Sequence, residues 1–260
     1  MGTDLQDHPI PVQPSPKRIR GLWNGETVVD SSLALLAWDT RPYPFYYFPV
    51  ADVRMEMLVP AKSAEYDSRR GSILHYSLAG VGRREDKAAW RYEPAAPSAA
   101  GLKDHICFRW ESMDRWFEED VEVFVHARDP FNRVDILDSS RRVQVFVGGE
   151  VVADSTRARF LFETGWMIRY YLPPEDVRQD LLVASNRVTH CPYKGKANYH
   201  SVQVSGRLYP DLAWSYADPV EESAGIKGRL CFSNEQVEAI LVDGEPASTR
   251  KLAKQMTGDG

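Results

Sequence analysis

Sliding the 260-residue chain along itself by 124 positions lays Arg18 to Val121 over Arg142 to Glu245 without a gap, and about a quarter of the aligned residues are identical. A register that survives every loop over such a length marks a duplicated domain of about 100 residues rather than a chance likeness. RIRGLWNGETVVDSS from Arg18 lies over RVQVFVGGEVVADST from Arg142, which pairs Gly25 with Gly149, Glu26 with Glu150, Asp30 with Asp154 and Ser31 with Ser155. Further on, YYFPVADVRMEMLV lies over YYLPPEDVRQDLLV, Ala89-Trp90 over Ala213-Trp214, Tyr92 over Tyr216 and Cys107-Phe108 over Cys231-Phe232.

Each copy opens with alternating apolar residues (Val143, Val145, Val147), a glycine turn (Asn24-Gly25 or Gly148-Gly149) and a second β-type run, which together predict a hairpin. Later runs such as YHSVQVSG and VEVFVHA are again rich in β-branched and aromatic residues. No stretch is both long and periodic enough for a substantial helix, although LALLAW, KAAW and NEQVEAILV are candidates for short helical pieces. The expected fold is mainly β, two tandem homologous compact sheets of tent- or barrel-like form with few short helices. The expected division is an extended N-terminal arm over 1–17 with four prolines, β-rich repeats over 18–121 and 142–246, a linker over 122–141 and a flexible tail over 247–260.

The 37 acidic residues outnumber the 32 basic ones and leave a net charge of −5, which argues against nucleic acid or an anionic membrane as the main partner. The longest apolar runs are far too short to span a bilayer. The proline-rich, acidic N-terminus lacks the charge and apolar centre of a secretory signal, so a cytoplasmic location is expected. Three cysteines without a CxxC pair support neither a disulfide framework nor a cysteine zinc site, and no metal or other cofactor is expected.

Residues shared by the copies are expected to serve the fold, and residues peculiar to one copy a special task. Cys107 and Cys231 occupy equivalent apolar runs and read as buried thiols, with Trp90, Trp214, Tyr92 and Tyr216 as packing anchors or pocket walls. Cys191 differs, because its counterpart is Asp67 and THCPYKGKANYHS answers to EYDSRRGSILHYS. Pro192 favours extended backbone at Cys191, and Tyr193-Lys194-Gly195 reads as a tight turn that brings an ammonium near the thiol, a setting that favours thiolate. His190 and His200 are the candidate bases. His200 alternates with Val202 and Val204, which places it on the apolar face, whereas Tyr199 alternates with Ser201 and Gln203.

The GGE hairpin, YYxPxxDVR, CPYKG with a following alanine and tyrosine, and AWSYxDP together resemble the domain-of-unknown-function 427 family, also labelled nucleotidyltransferase-like group 9. The second copy matches nearly all of this pattern. The first keeps YYFPVADVR and AWRY but departs at Asp67-Ser68-Arg69-Arg70. The resemblance implies compact β-rich units, often in tandem, like the tent-shaped sheets of zinc-ribbon relatives without their metal cysteines. It implies no particular reaction. The nucleotidyltransferase label finds no support in the residues, since there is no P-loop, no GxGxxG and no carboxylate cluster suited to Mg²⁺.

Two functional expectations follow. One is an enzyme for a small organic, carbonyl-containing substrate, with Cys191 as nucleophile or acid/base, Lys194 as electrostatic partner and His190 or His200 moving protons. Tyr170, Tyr171, Arg178, Tyr193, Tyr199 and Trp214 would hold the substrate, with Arg178 forking a carboxylate. The other is a non-catalytic tandem module that binds a ligand or partner through aromatic surfaces. Asp52 and Asp176 of the repeated Asp-Val-Arg are expected to close turns. A lesser alternative groups Asp67, Arg69, Arg70 and His75 at a site of their own.

Overall fold

The computed structural model describes residues 8–248. It divides into a first unit, Met1–Asp129, and a second, Pro130–Gly260. Among the described residues each unit is two antiparallel sheets with only short 3₁₀ turns between strands. In the second unit the large sheet runs in the order Val134–Asp138, Arg159–Glu163, Arg169–Leu172, Leu230–Phe232, Arg207–Ser215, Gly195–Val204, Leu182–Cys191. Its small sheet runs Glu150–Ser155, Val143–Val147, Ala239–Val242, Glu245–Pro246.

The first unit repeats this plan. Its large sheet runs Val12–Pro14, Leu35–Ala37, Phe45–Pro49, His105–Phe108, Arg83–Ala95, Gly71–Gly80, and there the last strand of the series is broken into Leu58–Pro60 and Glu65–Asp67, both paired to Gly71–Gly80. The expected helical pieces are strands: Leu35–Ala37 lies within LALLAW, KAAW within Arg83–Ala95, and Ala239–Val242 within NEQVEAILV. Pairing with neighbours on both sides decides these short apolar runs, which carry no helical stripe of their own.

The copies reach further upstream than identity alone suggested. Val12–Pro14 in the expected arm and Val134–Asp138 in the expected linker are equivalent edge strands, pairing with Leu35–Ala37 and Arg159–Glu163. Each ends at a serine whose hydroxyl accepts from the amide two residues on, Ser15 from Lys17 and Ser139 from Arg141, both at 3.3 Å. The linker's start also belongs to the first unit, where Val121–Val123 closes the small sheet against Arg115–Glu118. Residues 1–7 of the arm and 249–260 of the tail lie outside the described residues.

Strand alternation sends successive side chains to opposite faces of each large sheet. One face packs on the small sheet: Tyr46, Phe48 and Phe108 join Ile19, Val28 and Trp116 in the first unit, and Tyr170, Leu172 and Phe232 join Val143, Val145 and Val152 in the second. The other face carries a second cluster, Tyr47, Tyr92 and Cys107 in one unit and Tyr171, Tyr216 and Cys231 in the other. The repeated Asp-Val-Arg serves the sandwich. Asp52 accepts from the Ser31 hydroxyl at 2.5 Å and Asp176 from that of Ser155 at 2.6 Å, tying the opening hairpin to the 3₁₀ turn before the long strands.

Gly71 and Gly195, equivalent in the copies, both sit at positive φ (92° and 99°) where the turn enters the next strand. A Cβ at Gly71 would meet the Pro94 carbonyl oxygen at 2.3 Å, whereas the nearest atoms at Gly195 are 3.4 Å away. Gly195→Ala is expected to cost about 1–2 kcal/mol from left-handed backbone alone, and Gly71→Ala more, measured as shifts in the denaturant midpoint of each variant.

Candidate functional site

The second cluster of each unit is bounded by a buried ion pair that shows how the sheet curls. Glu163 ends one strand of the second unit's large sheet and Lys194 lies in the turn before Gly195–Val204, four strand steps away in the sheet order. In a flat sheet four steps span about 19 Å. The Lys194 ammonium nevertheless donates to Glu163 Oε2 at 2.5 Å, with both side chains about one-tenth exposed. The first unit has the same bridge: Arg70 donates to both Asp39 oxygens at 2.7 and 2.9 Å and also to Asp67 Oδ2 at 2.9 Å. The sheets therefore curl until their far strands meet, and the inner face becomes concave.

Aromatic hydroxyls line that face in both units. In the first, the Trp90 indole donates to the Tyr47 hydroxyl at 3.2 Å, Tyr47 donates to Tyr92 at 3.1 Å, and Tyr92 donates to Asp39 at 3.1 Å. In the second, the Trp214 indole donates to Tyr171 at 3.3 Å, and the Thr189 and Tyr199 hydroxyls are 3.1 Å apart. Burial holds Tyr47, Tyr92, Tyr171 and Tyr216 above the usual phenol range, with Cys191 adding to the effect at Tyr216. Burial likewise raises the Cys107 thiol and pushes Cys231 up to about 12. At neutral pH these groups are uncharged hydrogen-bonding surface rather than nucleophiles.

Cys191 ends the strand Leu182–Cys191 opposite Gly195 and is only partly buried. It shares its face with Thr189 and influences Tyr171 and Tyr216, so the thiol belongs to the concave side. The CPYKG turn is tight, with the Lys194 amide donating to the Cys191 carbonyl at 3.3 Å and the Ser223 hydroxyl to the Tyr193 carbonyl at 2.8 Å. Lys194, expected to serve the thiol, is committed to Glu163.

Neither candidate base shares the thiol's face. His190 is the strand neighbour of Cys191 and is exposed on the opposite side. His200 alternates with Tyr199, half-buried, and its imidazole is held below the usual range by burial. A bulge between His200 and Val202 shifts the register there. Tyr199 turns to the concave cluster with Ala197, opposite the face that Val202 and Val204 give to the sandwich, as alternation requires.

The expected binding residues separate in the same way. Tyr170 packs in the sandwich core and Tyr171 on the concave face, so they do not line one space. Arg178 is exposed, hydrogen-bonds Asp180 at 2.8 and 2.6 Å, and its amide joins the Val152 carbonyl beside the small sheet. Trp214 and Tyr199 do lie together, their ring centroids 6.1 Å apart. Above Trp214 stands Arg169, 5.4 Å from the ring and bound in a fork to Glu235, whose carboxyl that bond lowers to about 2.

In the first unit a cleft of about 340 Å³ is lined by Phe45, Trp90, Arg70 and His75 from the concave side, by Tyr43, and by Trp110 and Trp116 of the sandwich cluster. Arg70 and His75 of the lesser alternative thus line one cleft and Asp67 is paired with Arg70, whereas Arg69 is not part of its lining. Reading for identities missed Asp39 and Glu163. The signal was present, since position 39 and position 163 are both acids and positions 70 and 194 both bases at the constant offset. Among the described residues no cluster of three or more His, Cys, Asp or Glu is placed to hold a metal ion, and no helix is long and apolar enough to cross a membrane.

The model of one family, a domain of unknown function (DUF427, NTP_transf_9), matches the chain twice, over residues 11–119 and 135–243. The protein belongs to the DUF427 family as a tandem pair. Both matches begin near the edge strands at Val12 and Val134, ahead of the repeat's start at Arg18 and Arg142 as read from the sequence. No curated protein matches the chain.

Breaking the buried bridge should be costly, because the remaining charge stays in a poorly solvated place. Glu163→Gln or Lys194→Met alone is expected to remove about 3–5 kcal/mol, and the double change Glu163→Leu/Lys194→Met to recover most of it, as read from the denaturant transition of the full chain. Cys191 is expected to react with a disulfide reagent in the native protein, while Cys107 and Cys231 react only at the rate of unfolding; mass spectrometry of the labelled peptides reads the order.

Proposed function

We propose that this DUF427 pair is a ligand-binding module in which each unit receives a small organic molecule on the concave face of its curled sheet. The observation that carries the reading is the first unit's cleft, a concavity of about 340 Å³ walled by aromatic rings with a few converging polar groups. That combination of size, apolar wall and sparse polarity is what small-molecule sites have in common. The repeated Trp–Tyr hydrogen bond and the closing ion pair extend the reading to the second unit. Three free cysteines suit a reducing compartment, and we place the protein in the cytoplasm.

A second reading, an enzyme using Cys191, is favoured by one observation. The half-buried thiol shares the concave face with Tyr216, Tyr171 and the Thr189–Tyr199 hydroxyl pair, where a substrate would lie. With both histidines on other faces, proton transfer in such an enzyme would fall to Glu163, once released from Lys194, or to a substrate group.

Small molecules released by denaturing protein purified from its natural source, and identified by mass spectrometry, test both readings. Ligand binding predicts a defined molecule in the wild type that is depleted in Trp90→Ala or Trp214→Ala and retained in Cys191→Ala. Retention of substrate with loss of product only in Cys191→Ala would favour the enzyme, and no enriched molecule in any sample would count against both.

A further inference from the structure

We infer that the first unit's cleft takes a planar aromatic monocarboxylate, with the carboxylate on Arg41 and the ring between the aromatic walls. The inference rests on the ligand-binding reading and gives it a chemical class. Arg41 stands on the cleft with its guanidinium 5.6 Å from the Tyr43 ring and 5.8 Å from the Phe45 ring. It donates one hydrogen bond to the Tyr43 hydroxyl at 2.5 Å and makes no ion pair among the described residues. A guanidinium carries five N–H donors in a planar fork that matches a carboxylate. Most of that donor set remains to be used, on a group already oriented by two rings.

The walls select a flat partner. Phe45 meets Trp90 edge-on with centroids 5.9 Å apart, and Tyr43 is stacked on His126 at 3.9 Å with planes within 10°. Trp110 completes the apolar lining. Deeper in the cleft, neither ring nitrogen of His75 has a hydrogen-bond partner among the described residues, although Nε2 lies 3.3 Å from a Glu65 oxygen in poor alignment. Buried polar atoms left in that condition are uncommon and mark places where a ligand or water completes the bonding. A polar atom on a heteroaromatic ring would do so at His75.

Charge sets the limit at one. The Arg70 cation is already neutralised by Asp39 and Asp67, Arg109 is paired with Glu85, and the rim also carries Glu111. A polyanion such as a nucleoside triphosphate would meet one available cation and one opposing carboxylate. The second unit cannot present this arrangement, since Gly165, Met167, Arg169 and Tyr199 stand where Arg41, Tyr43, Phe45 and His75 do.

The test is calorimetric titration of the full chain with indole-3-carboxylate and with its neutral analogue indole-3-carboxamide. The carboxylate should bind at one site per chain and at least about tenfold more tightly than the amide, and Arg41→Gln, a change at an exposed position, should abolish that preference. Equal affinity for acid and amide, or a preference that survives in Arg41→Gln, would overturn the inference while leaving ligand binding itself intact. Binding of neither compound at millimolar concentration would also overturn it. The broader reading is decided separately, by the molecule extracted from native protein.

Discussion

Everything on the concave side depends on a charge pair held away from water. Sheets twist but do not close by themselves, and a strand four places along has no backbone bond to its distant neighbour. Asp39 with Arg70, and Glu163 with Lys194, supply the missing link across the opening. Ions in such a place contribute little net stability compared with apolar residues of the same bulk, but they tolerate only one geometry. Fixing the curl in this way also fixes how far apart the aromatic walls stand. A cleft with constant walls binds without first spending energy on ordering them.

The sequence was most legible where local rules and pairing agree. The glycine turns, the alternating valines and the repeated Ser/Asp positions all announce the opening hairpin and its tie to the next turn, and the structure has them there. Legibility failed where the determinant lies far along the chain. Val12–Pro14 and Val134–Asp138 are strands because an edge awaits them, and nothing in VQP or VDILD shares enough letters to reveal the equivalence. The acids that bridge to Arg70 and Lys194 across the sheet, Asp39 and Glu163, come from 31 residues upstream, so a search near the CPYKG turn finds the base and misses what it serves.

Candidate selection around Cys191 shows the same lesson in miniature. Nearness in sequence nominated His190, yet adjacent residues of a strand face opposite ways. Alternation alone was enough to separate them. The same rule holds for Tyr199, since Ala197 and Tyr199 turn to the concave cluster while Val202 and Val204 face the sandwich. The bulge after His200 lies on the partner strand, where Pro210 and the left-handed Asp211 (φ 54°) fall between Tyr209 and Ala213. The two concave faces have diverged on this common frame: Phe45 against Trp90 in one unit becomes Arg169 over Trp214, held by Glu235, in the other.

The two bridging pairs differ in a way that constrains how the halves can exchange material. The first couples a short acid to a long, forked base, and the second a longer acid to a slimmer one, so that each spans its opening with a different division of the same reach. Unequal crossing-over between the duplicated stretches would create hybrids. An aspartate facing a lysine would fall about one methylene short, and a glutamate facing an arginine would be crowded, either of which the close-packed surroundings would resist. Recombination, the usual force that keeps tandem repeats alike, is thereby penalised at this point, and each half is free to keep its own chemistry.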